Sequence, residues 1–196
     1  MEHATVANLM LHSSAEFAHP ARNVAALGVE PGMVIADFGA GSGAYVLAIA
    51  EALLGAGHVY AIDIQKDLLR RIHNEAHRRG LTHVSILWGD LEKPQGSKLA
   101  DHICDIVLIS NLLFQVENKM QLFQEAKRIL RPRGRLAVVD WQESFGGMGP
   151  IKEHVVNKAG AIALAKDSGF ALVQEFNAGA HHYGLIFSNA KLKLSV

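Results

Sequence analysis

Asp37 stands two positions before Gly39, Gly41 and Gly43 in the stretch ADFGAGSGAYVL (36–47). A glycine turn between a strand and a helix is where open α/β sheets take ligands, and its backbone N–H groups usually cradle phosphate. A carboxylate beside it repels pyrophosphate and attracts an ammonium group instead. No Lys-Ser/Thr pair follows the glycines, which excludes a P-loop. The dinucleotide fingerprint G-x-G-x-x-G is also broken: Ala44 occupies its last position and the third glycine comes one residue early. Asp63 lies 20 residues beyond Gly43, at the end of VYAID, where a carboxylate grips ribose hydroxyls. Asp90, in ILWGDL, is placed to accept from an adenine amino group, and Ser110 and Asn111 follow DIVLIS with short polar side chains. The ligand these residues describe is nucleoside-like, carries an amino-acid ammonium and lacks phosphates. S-adenosylmethionine has that composition. The plainer alternative is a tight turn whose glycines only supply positive φ.

A second group sits near the end of the chain. Asp140 and Trp141 close RLAVVDW, and His181, His182 and Tyr183 open HHYGLIF. If the last strand runs antiparallel beside the one ending at Trp141, these residues share a rim. Strand alternation then sends His181 and Tyr183 to one face and His182 to the other. One histidine would serve as general base, with an ordinary pKa of about 6.5. His181, His182, Tyr183 and Asp140 are the catalytic candidates, and Trp141 is a candidate aromatic wall for the substrate. The alternative is that they cap a sheet edge and pack under the loop ESFGGMGPIKE. His73 and His77 have i,i+4 spacing on a charged helix face without the H-E-x-x-H pattern, so no metal site is expected. The basic run RPRGR (131–135) reads as a helix end followed by a turn.

The elements that must hold these groups alternate. Nearly continuous apolar runs at 33–38, 58–63, 83–88, 105–110 and 135–141 read as strands covered on both faces. Ala44–Leu54, Lys66–Arg79 and Lys119–Leu130 read as helices between them, the first apolar all round and the second amphipathic. Strand–helix–strand repetition means right-handed crossovers and a parallel sheet. After a helix around His154–Asp167, the runs 170–176 and 181–187 are separated by NAGA alone, too short for a crossover, so the final strand is reversed. The segment LEKPQGSKLADHI (91–103) reads as an ordinary surface loop.

Composition narrows the function classes. The chain has 196 residues, 19 basic and 19 acidic, so it lacks the basic excess of a nucleic-acid-wrapping protein. Its one cysteine, Cys104, precludes an internal disulfide and is expected of a reducing, cytoplasmic setting. No apolar run approaches the ~20 residues of a membrane span, and the start lacks the layout of a secretory signal.

The sequence resembles the class I S-adenosylmethionine-dependent methyltransferases, closest in flavour to the ubiquinone/menaquinone-biosynthesis group. VIADFGAGSG is similar to their first motif, VYAID to the second, GDLEKP to the third and DIVLISNLLF to the fourth. LRPRGRLAVVDW resembles their L-x-P-G-G-x-L strand, with Arg133 where glycine is common. The resemblance covers roughly residues 20–190. It implies an α/β, Rossmann-like, doubly wound sheet of order 3-2-1-4-5-7-6 with an antiparallel last strand. The whole chain, 1–196, is then one methyltransferase domain, with an N-terminal helical cap at 1–25 and a core at 26–190. It further implies a cofactor site lined by Asp37, Gly39, Ala40, Gly41, Gly43, Asp63, Ile64, Gly89, Asp90, Leu91, Ser110 and Asn111. Motifs for nucleic-acid amino groups, cytosine C5 and arsenite are missing, which leaves a small-molecule acceptor. The rival readings are a non-catalytic cofactor-binding module and an NAD-type oxidoreductase.

Overall fold

A computed structural model describes residues 19–147 and 149–190. Of the expected N-terminal cap, residues 1–18 lie outside the described residues, and Pro20–Ala26 forms helix α1. The elements that follow are β1 (Val34–Phe38), α2 (Ala44–Ala52), β2 (His58–Asp63), α3 (Lys66–Arg78), β3 (Val84–Trp88) and β4 (Cys104–Ser110). The chain continues through α4 (Lys119–Ile129), β5 (Leu130–Trp141), α5 (Lys158–Asp167), β6 (Phe170–Gly179) and β7 (His182–Asn189). The strands form one seven-stranded sheet in the order β3-β2-β1-β4-β5-β7-β6. β7 is antiparallel to both its neighbours, and the other pairings are parallel. No helix among the described residues is long and apolar enough to cross a membrane.

Alternation along the strands gives the sheet two apolar faces. Ala36 and Phe38 of β1, Val107 and Ile109 of β4 and Leu136 and Val138 of β5 pack with Phe123 and Ala126 of α4 and Ala161 of α5. Ile35, Ile106, Leu108, Ala137 and Val139 point the other way, against Val24 of α1, Val46 and Ile49 of α2 and Leu69 and Ile72 of α3. Burying each of these larger side chains contributes about 1.5–3 kcal/mol. α2 is apolar all round because it is enclosed, with Tyr45, Val46, Leu47, Ile49 and Ala50 buried. α3 buries only Leu69, Ile72 and Ala76. Side-chain caps start the later helices: Asn118 Oδ1 accepts from Gln121 N–H at 3.1 Å, and Asn157 Oδ1 from Gly160 N–H at 3.0 Å.

Three expectations need correction. Residues 131–135 are not a turn: β5 begins at Leu130, and its pairing jumps from Cys104–Leu130 to Ile106–Arg135. Arg131 there pairs with Asp105, and Arg135 donates to Gly28 O at 3.1 Å, so these two charges face neighbouring elements while Arg133 is exposed. The helix expected from His154 begins at Lys158, behind the Asn157 cap, and a short 3₁₀ turn covers Lys152–His154. The segment 91–103 is irregular but not merely superficial, since Leu91, Ser97 and Leu99 are buried. Glu125, 1% exposed on α4, accepts from Ser97 N–H at 3.0 Å and Ser97 O–H at 2.5 Å and ties the segment down.

Candidate functional site

The glycine turn joins β1 to α2 at the carboxyl end of the sheet. Gly39, Gly41 and Gly43 have φ of 71°, 52° and 82°, values that side chains rarely adopt. A Cβ at Gly39 would lie 2.7 Å from Leu112 Cδ1, and one at Gly43 2.6 Å from Ile72 Cγ1, so both glycines are imposed by packing as well. Gly41 differs. A Cβ there would meet only Gly39 O, at 3.7 Å, because this residue faces open space. The turn is laced to β2: Gly39 and Ala40 N–H donate to Ile62 O at 2.9 and 3.0 Å, and Gly41 N–H donates to Asp63 Oδ2 at 2.9 Å. The other Asp63 oxygen accepts from Gln65 N–H at 2.8 Å, which orients the carboxylate at the rim.

Two hollows flank Gly41. One, of about 350 Å³, is walled by Gly39, Gly41, Asp63, Ile64 and Leu112, and on its far side by Gly89, Asp90 and Leu91. The other, of about 290 Å³, is walled by Gly41, Tyr45, Ser110 and Asn111, with Ala40 and Pro20 beside them. Gly39, Gly41 and Gln115 belong to both, so the hollows meet over the turn. Asp90 Oδ1 accepts from Glu92 N–H at 3.1 Å, which closes the loop that forms the first hollow's outer wall.

Asp37 and Gly43 line neither hollow. Asp37 is 1% exposed, and neither of its carboxyl oxygens has a hydrogen-bond partner among the described residues. Burial, reinforced by the Asp63 charge, pushes its pKa up to about 8. Tyr45, the second residue of α2, accepts from Asn23 Nδ2 at 2.8 Å, and the same amide donates to Ala178 O at 3.0 Å. Burial raises the Tyr45 hydroxyl to about 12. Asn23 thereby clamps α1 and β6 onto the floor of the second hollow.

The group near the end of the chain assembles at the same end of the sheet, where Asp140 pairs with Tyr183 and Trp141 with His182. Asp140 is 1% exposed, and its oxygens accept from the N–H groups of Leu112, Leu113 and Trp141 at 3.0, 2.9 and 2.8 Å. Burial outweighs those three bonds and raises its carboxyl to about 6. His182 packs against Trp141 with the rings tilted by 43° and centroids 4.3 Å apart, and its Nε2 lies 2.9 Å from Asn111 Oδ1. Tyr183 faces the opposite side and donates to Val156 O at 2.8 Å. His181 lies in the turn before β7, where it stacks on Phe145 at 3.8 Å and contacts Glu143 at 2.9 Å. The histidines are thus divided between two environments, and His182 is the one that reaches toward the glycine turn.

Tyr45, Leu112 and Gln115 escaped sequence reasoning although all three line the hollows. Tyr45 was hidden inside a helix that reads as uniformly apolar, Leu112 among the apolar residues of the DIVLISNLLF motif, and Gln115 just beyond that motif's end. The usable signal was position, since each lies within a turn or two of helix from a strand end.

Residues 29–190 match the family model described as "Methyltransferase domain". A demethylmenaquinone methyltransferase of Anoxybacillus flavithermus is 25% identical over 114 residues, covering 58% of this chain and 47% of that protein. A ubiquinone/menaquinone biosynthesis C-methyltransferase of Burkholderia cenocepacia is 26% identical over 146 residues, covering 74% of this chain and 57% of that one. The chain therefore spans about half the length of the curated relatives it matches. Among solved structures, a SAM-dependent methyltransferase from Aquifex aeolicus superposes with a TM-score of 0.81 at 23% identity, covering 95% of this chain and 98% of its own. A protein described as a type 11 methyltransferase, from Sulfolobus solfataricus, gives 0.67 at 26% identity, covering 82% and 85%.

Proposed function

This chain belongs to the methyltransferase-domain family whose model spans residues 29–190, and we propose that it moves the methyl group of S-adenosylmethionine to a small polar acceptor. The observation that carries the reading is Gly41, a turn glycine open to solvent space with a separate hollow on each side. A ligand made of a nucleoside and an amino acid joined at sulfur has that two-lobed shape. Asp63 and Asp90 would hold the ribose hydroxyls and the adenine amino group. Tyr45, Ser110 and Asn111 would face the amino-acid lobe with uncharged polar groups. The Asp37 carboxyl, buried behind the turn, would give up its proton as an ammonium group arrives and supply the negative potential that group seeks.

The bound cofactor supplies an electrophilic methyl group on a sulfonium, already activated for direct displacement. What remains for the protein is to align the nucleophile, methyl carbon and sulfur and to exclude water, so positioning provides most of the catalysis. A wider hollow of about 530 Å³ lies beside His182, walled by Gln142, Lys158, Glu175, Asn177 and Tyr183. Its amide, charged and phenol side chains support a polar acceptor in preference to a long apolar chain. Isothermal calorimetry with S-adenosylmethionine and with NADH tests the reading. Binding of the first and not the second is expected, and the reverse would replace it with an oxidoreductase.

A further inference from the structure

Asn111 lines the second hollow with φ of 50°, a left-handed conformation that an L side chain adopts only at a cost. Such a conformation persists where its surroundings over-determine it, and here they do. Its N–H donates to Val139 O at 2.9 Å, and its carbonyl accepts from Gln115 Nε2 at 2.8 Å. The next two amides, of Leu112 and Leu113, converge on a single oxygen, Asp140 Oδ2, at 3.0 and 2.9 Å. The side-chain oxygen of Asn111 meets His182 Nε2 at 2.9 Å. An amide oxygen only accepts, so the imidazole carries its proton on that nitrogen. His182 is itself braced by Trp141, which also packs on the backbone of Gly149: a Cβ at 149 would lie 2.6 Å from the indole.

The geometry points to Asp140 and His182 as positioning residues for methyl transfer, which together hold the Asn111–Leu113 turn as the wall between the cofactor hollow and the acceptor hollow. The inference rests on the cofactor reading above. Asp140 lines none of the three hollows, whereas His182 lines the acceptor side and reaches the cofactor side through Asn111. Leu112, held by the Asp140 bond, is the side chain pressed against Gly39, so the two carboxyl-end turns are locked to each other. Two N–H donors on one ionised oxygen form a charge-assisted pair. Neutralising that carboxyl weakens both bonds and frees the turn. The charged group that bears on Asp140 is Lys119, at the start of α4, while the Tyr183 phenol from β7, raised by burial and by Asp140 itself, stays neutral over this range. Burial leaves Asp140 titrating near 6, so the wall should loosen as pH falls through that value.

The experiment follows S-adenosylmethionine binding by calorimetry between about pH 5 and about pH 8, with the amide resonances of Leu112 and Leu113 tracked by nuclear magnetic resonance. The unaltered protein should lose affinity as pH drops through about 6, with both amides shifting in step. Asp140→Asn should bind about tenfold more weakly at high pH and lose the added step near 6, keeping only the steadier fall below about 8 that proton release from Asp37 imposes on both proteins. His182→Ala should weaken binding while keeping the step, and His182→Gln, which restores a donor to Asn111, should recover it. Parent-like affinity in both Asp140→Asn and His182→Ala, with intact melting curves, would overturn the positioning role and leave the cofactor reading standing. Should Asp140→Asn not fold, the Ala and Gln variants at His182 and the amide titration of the parent decide alone. Absence of binding by the unaltered protein would overturn both.

Discussion

Asp37→Asn removes an ionisable group whose carboxyl oxygens the fold encloses without a hydrogen-bond partner among the described residues. That carboxyl titrates near 3.8 in an open chain and at about 8 in the folded protein, because burial and then the Asp63 charge oppose ionisation. Between those values the native state keeps a proton that the unfolded state has lost. Stability therefore falls as pH rises across that window, and levels off above about 8. At pH 7 the open-chain carboxyl is about three units past its midpoint, which at ~1.4 kcal/mol per unit sets a ceiling of about 4 kcal/mol. Local relaxation and water entry reduce such penalties, so about 2 kcal/mol is expected in practice. The amide that replaces the carboxyl has the same shape and no titration. Urea unfolding at a series of pH values should thus give parent and variant equal stability near pH 4, with the variant ahead by ~2 kcal/mol at pH 7 and somewhat more at pH 8. Parallel curves across the whole range would refute the reasoning, since they require Asp37 to titrate alike in both states.

Gly43→Ala should destabilise the fold by about 2 kcal/mol or more, through strain at φ 82° and collision with Ile72, whereas Gly41→Ala should cost only about 1 kcal/mol of stability yet abolish tight cofactor binding; melting and calorimetry separate the two. Asp63→Ala should weaken S-adenosylmethionine binding by about 1–3 kcal/mol and loosen the turn through loss of the Gly41 bond, read as affinity together with faster hydrogen exchange at Gly41. Glu125→Gln should cost about 1–3 kcal/mol in urea unfolding and raise exchange in residues 91–103. Burial pushes the Glu125 carboxyl up, but bonds from Arg128 and Ser97 outweigh it and the net shift is downward. Its contribution is accordingly present above the open-chain value of 4.5 and is lost as pH falls through the lower folded value.

The parallel strands were legible because burial on both faces writes continuous apolar runs, and the reversed last strand because NAGA is too short to cross the sheet. The start of β5 was not legible. Arg131 and Arg133 look like a solvated helix end, and only the partner at Asp105 and the register jump reveal an extended segment. Burial of Ser97 depends on one glutamate 28 residues away, and no local pattern carries that pairing. At the site, Asp63, Asp90 and Asn111 stood out as polar residues ending apolar strands, a contrast visible in one dimension. Asp140 stood out for the same reason, but that one of its oxygens would be taken up by two amides from another loop is a fact of three dimensions. The hollows' apolar walls, such as Leu112, carry no contrast with their surroundings and so left no mark.

The most direct test of methyl transfer itself is incubation with S-adenosylmethionine carrying a labelled methyl group, in the presence of a fractionated metabolite extract. The account predicts label moving into a small polar fraction at a rate that falls when Gly41 is replaced by alanine. Tight cofactor binding with no label leaving it in any fraction would contradict the account, and would make the chain a binding module that keeps the fold without the reaction.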